Sequence, residues 1–205
     1  MSLVLPRNRR TLMGGEFQDQ EVRGDFRLAQ AYKAKFERCR FIDSPFGKSD
    51  FRGAVFTECI FEKCDFAKSD FNAATVKVCT FVECDFDLVD FTAAWITETQ
   101  FIGGRMEYSK FQNSTLRDVK FETQLHGSDL RYASAENINY GGSNVWGASI
   151  NVNCNSFRDM TWDERSVRIY LALLASSKGN DDLRARIAEL AGEEAVKLIA
   201  RLELK

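Results

Sequence analysis

Six cysteines and one histidine are the residues of this chain best suited to metal binding or nucleophilic chemistry. Zinc sites place cysteines in close pairs and often add histidines. Here Cys59 and Cys79 are 20 residues apart, as are Cys64 and Cys84, and His126 is the only histidine. The sequence therefore predicts no metal site and no cofactor. It predicts instead reduced cysteines that pack as small apolar residues.

Catalytic motifs are also missing from the sequence. There is no glycine-rich phosphate-binding loop, and no serine or cysteine stands in a recognisable nucleophile motif near His126. A lone histidine of this kind is more often structural than catalytic. We therefore predict that the protein is not an enzyme.

Large apolar residues recur every five residues through the first two thirds of the chain. A small side chain usually lies two positions before each of them, so the unit is small, polar, large apolar and two variable residues. The eighteen consecutive large apolar positions are Phe36, Phe41, Phe46, Phe51, Phe56, Phe61, Phe66, Phe71, Val76, Phe81, Phe86, Phe91, Ile96, Phe101, Met106, Phe111, Leu116 and Phe121.

A five-residue spacing fits neither an α-helix, with about 3.6 residues per turn, nor a strand, with a period of about 2. The chain must therefore turn once in each unit. Residues 47–66 and 67–86 are near copies, which indicates that four units complete one coil. Residues 20 apart should then stack at about 4.8 Å, and about seven coils would form a rod roughly 34 Å tall.

Several triplets combine a small residue, an aspartate and a large apolar residue: Ser49-Asp50-Phe51, Cys64-Asp65-Phe66, Ser69-Asp70-Phe71 and Ser128-Asp129-Leu130. They resemble the consensus of the pentapeptide-repeat family. The resemblance implies an all-β fold, a right-handed, four-sided β-helix solenoid with one unit on each side. Two slips interrupt the period, since Val22 and Phe26 are four residues apart and Phe121 and Leu130 are nine apart. We expect an irregular first coil and a unit near His126 that is one residue short.

Outward residues that are 20 apart should form columns along the rod. Asp50, Asp70 and Asp90 form one column, Asp65 and Asp85 lie on the adjacent side, and an exposed Trp95 marks an apolar edge elsewhere. Each aspartate could simply bond to backbone N–H groups at its corner. Alternatively, the aspartates could form a strip that binds a partner, which residues 78–104 favour because they contain no Lys or Arg. The predicted strip comprises Asp50, Asp65, Asp70, Asp85, Asp87 and Asp90.

Helical spacing replaces the five-residue period after residue 160. Thr161 and Glu164 form a capping box, and an open solenoid end must be covered. We predict three segments: 1–11 at the N-terminus, a repeat domain over 12–160, and a helical tail over 161–205 that covers the end and supports a homodimer. The predicted dimerisation residues are Val167, Tyr170, Leu171, Leu174, Leu183, Ile187 and Leu190.

The formal net charge of −2 gives no strong preference for nucleic acid or for an anionic membrane. The N-terminal residues lack the apolar segment of a signal peptide, so we expect a cytoplasmic protein. We predict a non-catalytic rod that binds a protein partner. The family resemblance implies an alternative, since some members mimic duplex DNA, bind type II topoisomerases such as DNA gyrase, and protect them from quinolones or toxins. The small net charge places the general scaffold first.

Overall fold

The computed structural model describes residues 2–3, 11–140 and 143, and the described part is all-β. Its strands are short and parallel, as expected for a chain that turns in every unit. They are β1 (Ser2–Leu3), β2 (Glu16–Gln18), β3 (Glu21–Val22), β4 (Lys35–Glu37), β5 (Arg40–Ile42), β6 (Val55–Thr57), β7 (Ile60–Glu62), β8 (Thr75–Lys77), β9 (Thr80–Val82), β10 (Trp95–Thr97), β11 (Gln100–Arg105), β12 (Thr115–Arg117), β13 (Lys120–Gln124) and β14 (Ser134–Glu136).

The coil has four sides. Two sides are seven-stranded parallel sheets, one with the order β1-β3-β5-β7-β9-β11-β13 and one with the order β14-β12-β10-β8-β6-β4-β2. The other two sides are columns of single parallel bridges, such as Asp50↔Asp70↔Asp90 and Asp65↔Asp85↔Arg105. Six steps lead from Thr11 to Asp129. The prediction of a four-sided solenoid with four units per coil is confirmed.

Stacked phenylalanine rings fill the interior. On one side the ring centroids of Phe61, Phe81, Phe101 and Phe121 are separated by 4.5, 4.9 and 5.2 Å. On the opposite side Phe51, Phe71, Phe91 and Phe111 stack at 4.8 to 5.0 Å. The small residues two positions before the rings are buried beside them. This confirms the predicted core, which is the main source of stability since each ring buries a large apolar surface.

Left-handed backbone closes the corners. Twenty non-glycine residues in the described chain have a positive φ, almost all of them two positions after a central apolar residue. At two of the four corners the residue that follows closes a β-turn, as where the Ser69 N–H donates to the Phe66 carbonyl at 2.9 Å. The backbone N–H of the left-handed residue itself bonds to the next coil, as in Lys68 to Asp87 at 2.9 Å. The lateral bonds between coils thus hold each corner in a conformation that L-residues disfavour.

Two units are one residue shorter than the rest, as predicted. Val22 pairs with Phe41 while Phe26 stacks on Phe46, and Leu116 pairs with Ala135 at a spacing of 19 residues. One coil below the second short unit, β11 is lengthened and its register with β13 shifts between Ile102 and Arg105. Both short units lie on the same edge of the rod.

The predicted helical tail and all seven predicted dimerisation residues lie outside the described residues. The same is true of most of the predicted N-terminal segment. Within the described ranges no helix is long and apolar enough to cross a membrane.

Candidate protein-binding surfaces

The inside of the described coils is packed, so any binding chemistry must use the outer surface. Five cysteines, Cys39, Cys59, Cys64, Cys79 and Cys84, are free and buried, which confirms their predicted role as small core residues. Burial and a neighbouring thiol raise the pKa of Cys84 above its ordinary value. In residues 11–140, no three histidine, cysteine or acidic side chains converge on a point where a metal ion could bind.

The six aspartates of the predicted strip lie on two adjacent sides of the rod. Asp50, Asp70 and Asp90 are in register on one side, while Asp65 and Asp85 are in register on the next. Asp87 follows Asp85 on the same side, beyond Phe86. We call this surface, made of these six residues, the acidic edge. The structure thus brings together the aspartates that the column pattern grouped.

Each column aspartate bonds to the backbone of its own corner. The Oδ1 atom of Asp65 accepts the N–H of Ala67 at 2.8 Å, and that of Asp90 accepts the N–H of Thr92 at 2.9 Å. Asp50, Asp70 and Asp85 make the same bond. This is the corner role that short polar side chains play in turns. It uses one oxygen of each carboxylate, so the corner itself orients the carboxylate.

Arginines neutralise part of the acidic edge. Arg52 binds Asp50 at 2.7 Å and lies 3.7 Å from Asp70, and Arg105 pairs with both Asp85 and Asp87. The hydrogen bond from Arg52 holds the pKa of Asp50 below its usual range. Within the described residues no lysine or arginine nitrogen lies within 4.0 Å of Asp65 or Asp90. These two carboxylates therefore make no ion pair in the described chain, although Lys110 is the next residue in the column of Asp90 and, after the hydrogen bond to Asp25, the charge of Asp65 helps to raise the pKa of Arg27.

Asp87 differs from the column aspartates. Its Oδ1 atom accepts the backbone N–H of Glu107 in the next coil at 3.0 Å. Burial raises the pKa of Asp87, and the nearby carboxylates of Asp85 and Glu107 raise it further, while Arg105 and the backbone bond oppose them. Asp87 therefore carries its charge at a cost to folding.

Trp95 is exposed, as predicted, but it does not join the acidic edge. It lies on β10, where 61% of its surface is accessible to solvent, between Thr75 and Thr115 of the neighbouring strands. The acidic edge occupies the two bridge sides of the coil, whereas Trp95 stands on a sheet side. The structure thus gives two separate candidate surfaces.

Other exposed apolar residues were not singled out from the sequence. Leu88 and Tyr108 stand on the corner between the two sides of the acidic edge, and each is about half exposed. The Tyr108 hydroxyl lies 3.0 Å from Nε2 of His126, which gives the only histidine a structural contact. Ile60 and Val78 are also exposed, near Trp95. The sequence could have predicted that all four are exposed, since each is a large apolar residue at an outward position of the repeat.

Two family descriptions match this chain. "Pentapeptide repeat region" matches residues 54–130, and "Pentapeptide repeats (8 copies)" matches residues 34–72. No curated protein matches the chain. The matches lie within the coils whose phenylalanines stack most regularly.

Solved structures of other repeat proteins are similar to this chain at a low level. One is a trypsin-treated variant of QnrB1, described as a plasmid-mediated fluoroquinolone resistance protein, with 17% identity, a TM-score of 0.46, and coverage of 84% of this chain and 93% of the other. Full-length QnrB1 gives 16% identity, a TM-score of 0.44, and coverage of 83% and 93%. A pentapeptide repeat protein from the Arabidopsis thaliana thylakoid lumen has 19% identity and a TM-score of 0.25, with coverage of 66% of this chain and 84% of the other. Scores at this level carry no information about function.

Proposed function

Because the chain belongs to the pentapeptide-repeat family, we propose that it is a non-catalytic rod that binds a basic protein partner through its acidic edge. The main support for the proposal is the hydrogen bonding and charge pairing of Asp65 and Asp90. Each has one oxygen fixed by a backbone N–H group, and neither carboxylate has a lysine or arginine side-chain nitrogen within 4.0 Å in the described chain. A partner would meet carboxylates that are already oriented, which lowers the entropy cost of binding.

Electrostatic repulsion within the columns supports the same conclusion. Two carboxylates about 4.8 Å apart repel by roughly 0.9 kcal/mol even at the dielectric of water. Arg52 and Arg105 relieve this at Asp50 and Asp85. A Lys or Arg from a partner would relieve it at Asp65 and Asp90. The expected partner surface carries at least two basic side chains and binds less tightly as salt rises.

The test replaces Asp65 and Asp90 together, first by asparagine and then by alanine. Asparagine keeps the oxygen that accepts the corner N–H but removes the charge, so folding should be maintained while partner capture from a cell extract falls. Alanine removes the corner bond as well and should cost about 1 kcal/mol of stability at each site. Capture that is unchanged in the asparagine variant would show that the acidic edge is ordinary solvated surface.

Trp95 is proposed as a second contact. Exposed tryptophans are enriched at the energetic centres of protein interfaces, and Trp95 is one of the most exposed large side chains of the described coils. Trp95→Ala should leave the unfolding free energy nearly unchanged because the ring lies outside the core. Loss of the partner in this variant, with the acidic edge intact, would assign the contact to the sheet side.

A narrower form of the proposal names the partner as a type II topoisomerase such as DNA gyrase, bound by mimicry of duplex DNA and thereby protected from quinolones or toxins. What favours it is the pair of adjacent, parallel carboxylate columns, since a duplex also presents regularly spaced anions on two strands. The test is DNA supercoiling by gyrase with and without a fluoroquinolone. If micromolar protein changes neither the rate nor the drug sensitivity, the partner is not gyrase and the general scaffold remains.

The remaining parts of the proposal concern assembly and location. The apolar residues of the tail, predicted from the sequence, exceed what one end of a narrow tube needs, which supports a homodimer through the tail. A reducing cytoplasm would suit the five free cysteines. The homodimer is tested by measuring the mass in solution of a chain that lacks the tail.

A further inference from the structure

Val78 is an unusual residue at its corner of the coil. It has a φ of 54° and is the only β-branched residue among the twenty non-glycine residues with positive φ in the described chain. A β-branched side chain in this conformation crowds its own backbone, which makes it a genuine outlier. The positions above and below it in the same corner column are Asp19, Arg38, Glu58, Glu98, Asp118 and Asn137.

The fold gains little from this valine. Its side chain is 41% exposed and lies outside the core. Asparagine occupies the same column position at residue 137 with a φ of 54°, and asparagine tolerates the left-handed region well. An outlier without a packing benefit points to a role at the surface.

Two more exposed apolar side chains surround Val78. Val78 connects β8 to β9, Trp95 lies one coil above on the sheet of β8, and Ile60 lies one coil below on the sheet of β9. They are 61% and 43% exposed. Ile60, Val78 and Trp95 therefore lie on three successive coils around one corner, and we call these three exposed apolar side chains the Val78 patch. It is remote from the acidic edge, which lies on the other two sides.

Two open carboxylates frame the Val78 patch. Glu58 and Glu98 lie directly below and above Val78 in its column. Lower in this column a charge is paired, since Arg38 binds Asp19 at 2.7 Å. Among the described residues no lysine or arginine side-chain nitrogen, including that of the adjacent Lys77, lies within 4.0 Å of a carboxylate oxygen of Glu58 or Glu98. The two carboxylates are two coils apart, which is about 9.6 Å along the rod.

This spacing selects one kind of partner. Two residues seven apart on an α-helix are about 10.5 Å apart and lie on the same face, with residues three and four positions along between them. An extended strand places its same-face residues about 6.7 or 13 Å apart, so it cannot match both carboxylates. Charge and length therefore both favour a helix parallel to the rod axis.

We propose that the Val78 patch binds an amphipathic helix of a partner protein with Lys or Arg at positions i and i+7 and apolar residues at i+3 and i+4. The proposal rests on the proposed function in that it shares the Trp95 contact with it, but it does not use the acidic edge. The helix does not come from a second copy of the tail, because no two Lys or Arg of residues 161–205 are seven apart. The partner segment must belong to another protein.

The test uses a labelled, alanine-rich 16-residue helical peptide (about 24 Å long) with this pattern and measures its binding to the full chain by fluorescence polarisation. A control peptide of equal composition places the two lysines four residues apart. The patterned peptide should bind at least tenfold more tightly than the control. Equal binding of the two peptides, or no binding of either, would overturn the proposal.

Val78→Asn removes the apolar side chain and suits the left-handed backbone, so it should maintain or raise the melting temperature while weakening the patterned peptide at least tenfold. Leu88→Asn is the matched control, since Leu88 has a φ of 60° and is 50% exposed on a different corner. Its peptide affinity should equal that of the parent. Glu58→Gln with Glu98→Gln should remove most of the salt dependence of binding. Unchanged affinity in Val78→Asn would refute the site. The acidic edge is tested separately by the Asp65 and Asp90 variants, so failure of one proposal can be distinguished from failure of the other.

Discussion

Gly104 is the position at which a single methyl group should do the most damage to the rod. A Cβ atom added there would lie 2.0 Å from the carbonyl oxygen of Cys84 and 2.8 Å from its backbone nitrogen, and Gly104 has a φ of 68°. Ordinary contacts are more than 1 Å longer than the first of these. The Cys84 carbonyl cannot move freely, because it accepts the N–H of Arg105 at 3.1 Å.

The cost of Gly104→Ala can be summed from its causes. Left-handed backbone at a residue with a Cβ costs about 1 to 2 kcal/mol, overpacking against fixed backbone about 1 to 3, and a broken buried hydrogen bond about 1 to 3. We expect a loss of about 4 kcal/mol or more. Gly53→Ala is the control, since Gly53 has a φ of 63° but its added Cβ would meet only a lysine side-chain atom at 3.4 Å. Alanines at positions 73 and 93 already occupy equivalent corners, so Gly53→Ala should cost only about 1 kcal/mol.

Urea unfolding followed by circular dichroism would measure both variants against the parent chain. Similar slopes of free energy against urea would show that the same amount of structure unfolds in each. A difference of less than about 1 kcal/mol between Gly104→Ala and Gly53→Ala would refute the close approach of the coils at Gly104, because the two variants share the left-handed cost.

Phe66→Ala should destabilise by about 3 to 5 kcal/mol, because its ring is stacked between Phe46 and Phe86 at 5.0 and 4.9 Å; Phe17→Ala, which removes a half-buried end ring, should cost clearly less, and equal losses would contradict the packing argument. Asp87→Asn should stabilise the chain at pH 7, since burial raises the pKa of this carboxyl and folding therefore disfavours its charged form. Asp50→Asn should destabilise at pH 7, since Arg52 lowers the pKa of Asp50, and urea midpoints should show this loss disappearing as pH falls through the folded pKa. Deletion of residues 160–205 should change the particle measured by light scattering from two chains to one, and an unchanged number of chains would refute a homodimer through the tail.

The sequence predicted the interior better than the surface, for a physical reason. The core repeats every five residues, so Phe51 and Phe61 could be assigned to opposite sides by counting alone. Charge pairing depends on local neighbours and also on neighbours about 20 residues away in the chain. A linear reading finds no Lys or Arg in residues 78–104, but the coil places Arg105 beside Asp85 and Asp87. Grouping residues that are 20 apart places Arg105 next to Asp85, whereas counting charges along residues 78–104 leaves Arg105 out.

The five-residue pattern could not predict the backbone geometry of the corners. The five-residue period showed that the chain turns, but not which of the two variable residues is left-handed. That choice makes Val78 an outlier and places Gly104 against Cys84. The aspartate roles were predicted as alternatives, and the corner bond is confirmed, although it leaves the second oxygen of each carboxylate available.

The regular stacking also fixes the distances at which surface groups can lie along the rod. Surface groups can be placed only at steps of about 4.8 Å along the axis and on one of four sides. Because residues 47–66 and 67–86 are near copies, duplication of one such block would lengthen the rod by one coil without turning any residue to another side. The distance between two binding surfaces could thus change in fixed increments while each surface kept its own geometry.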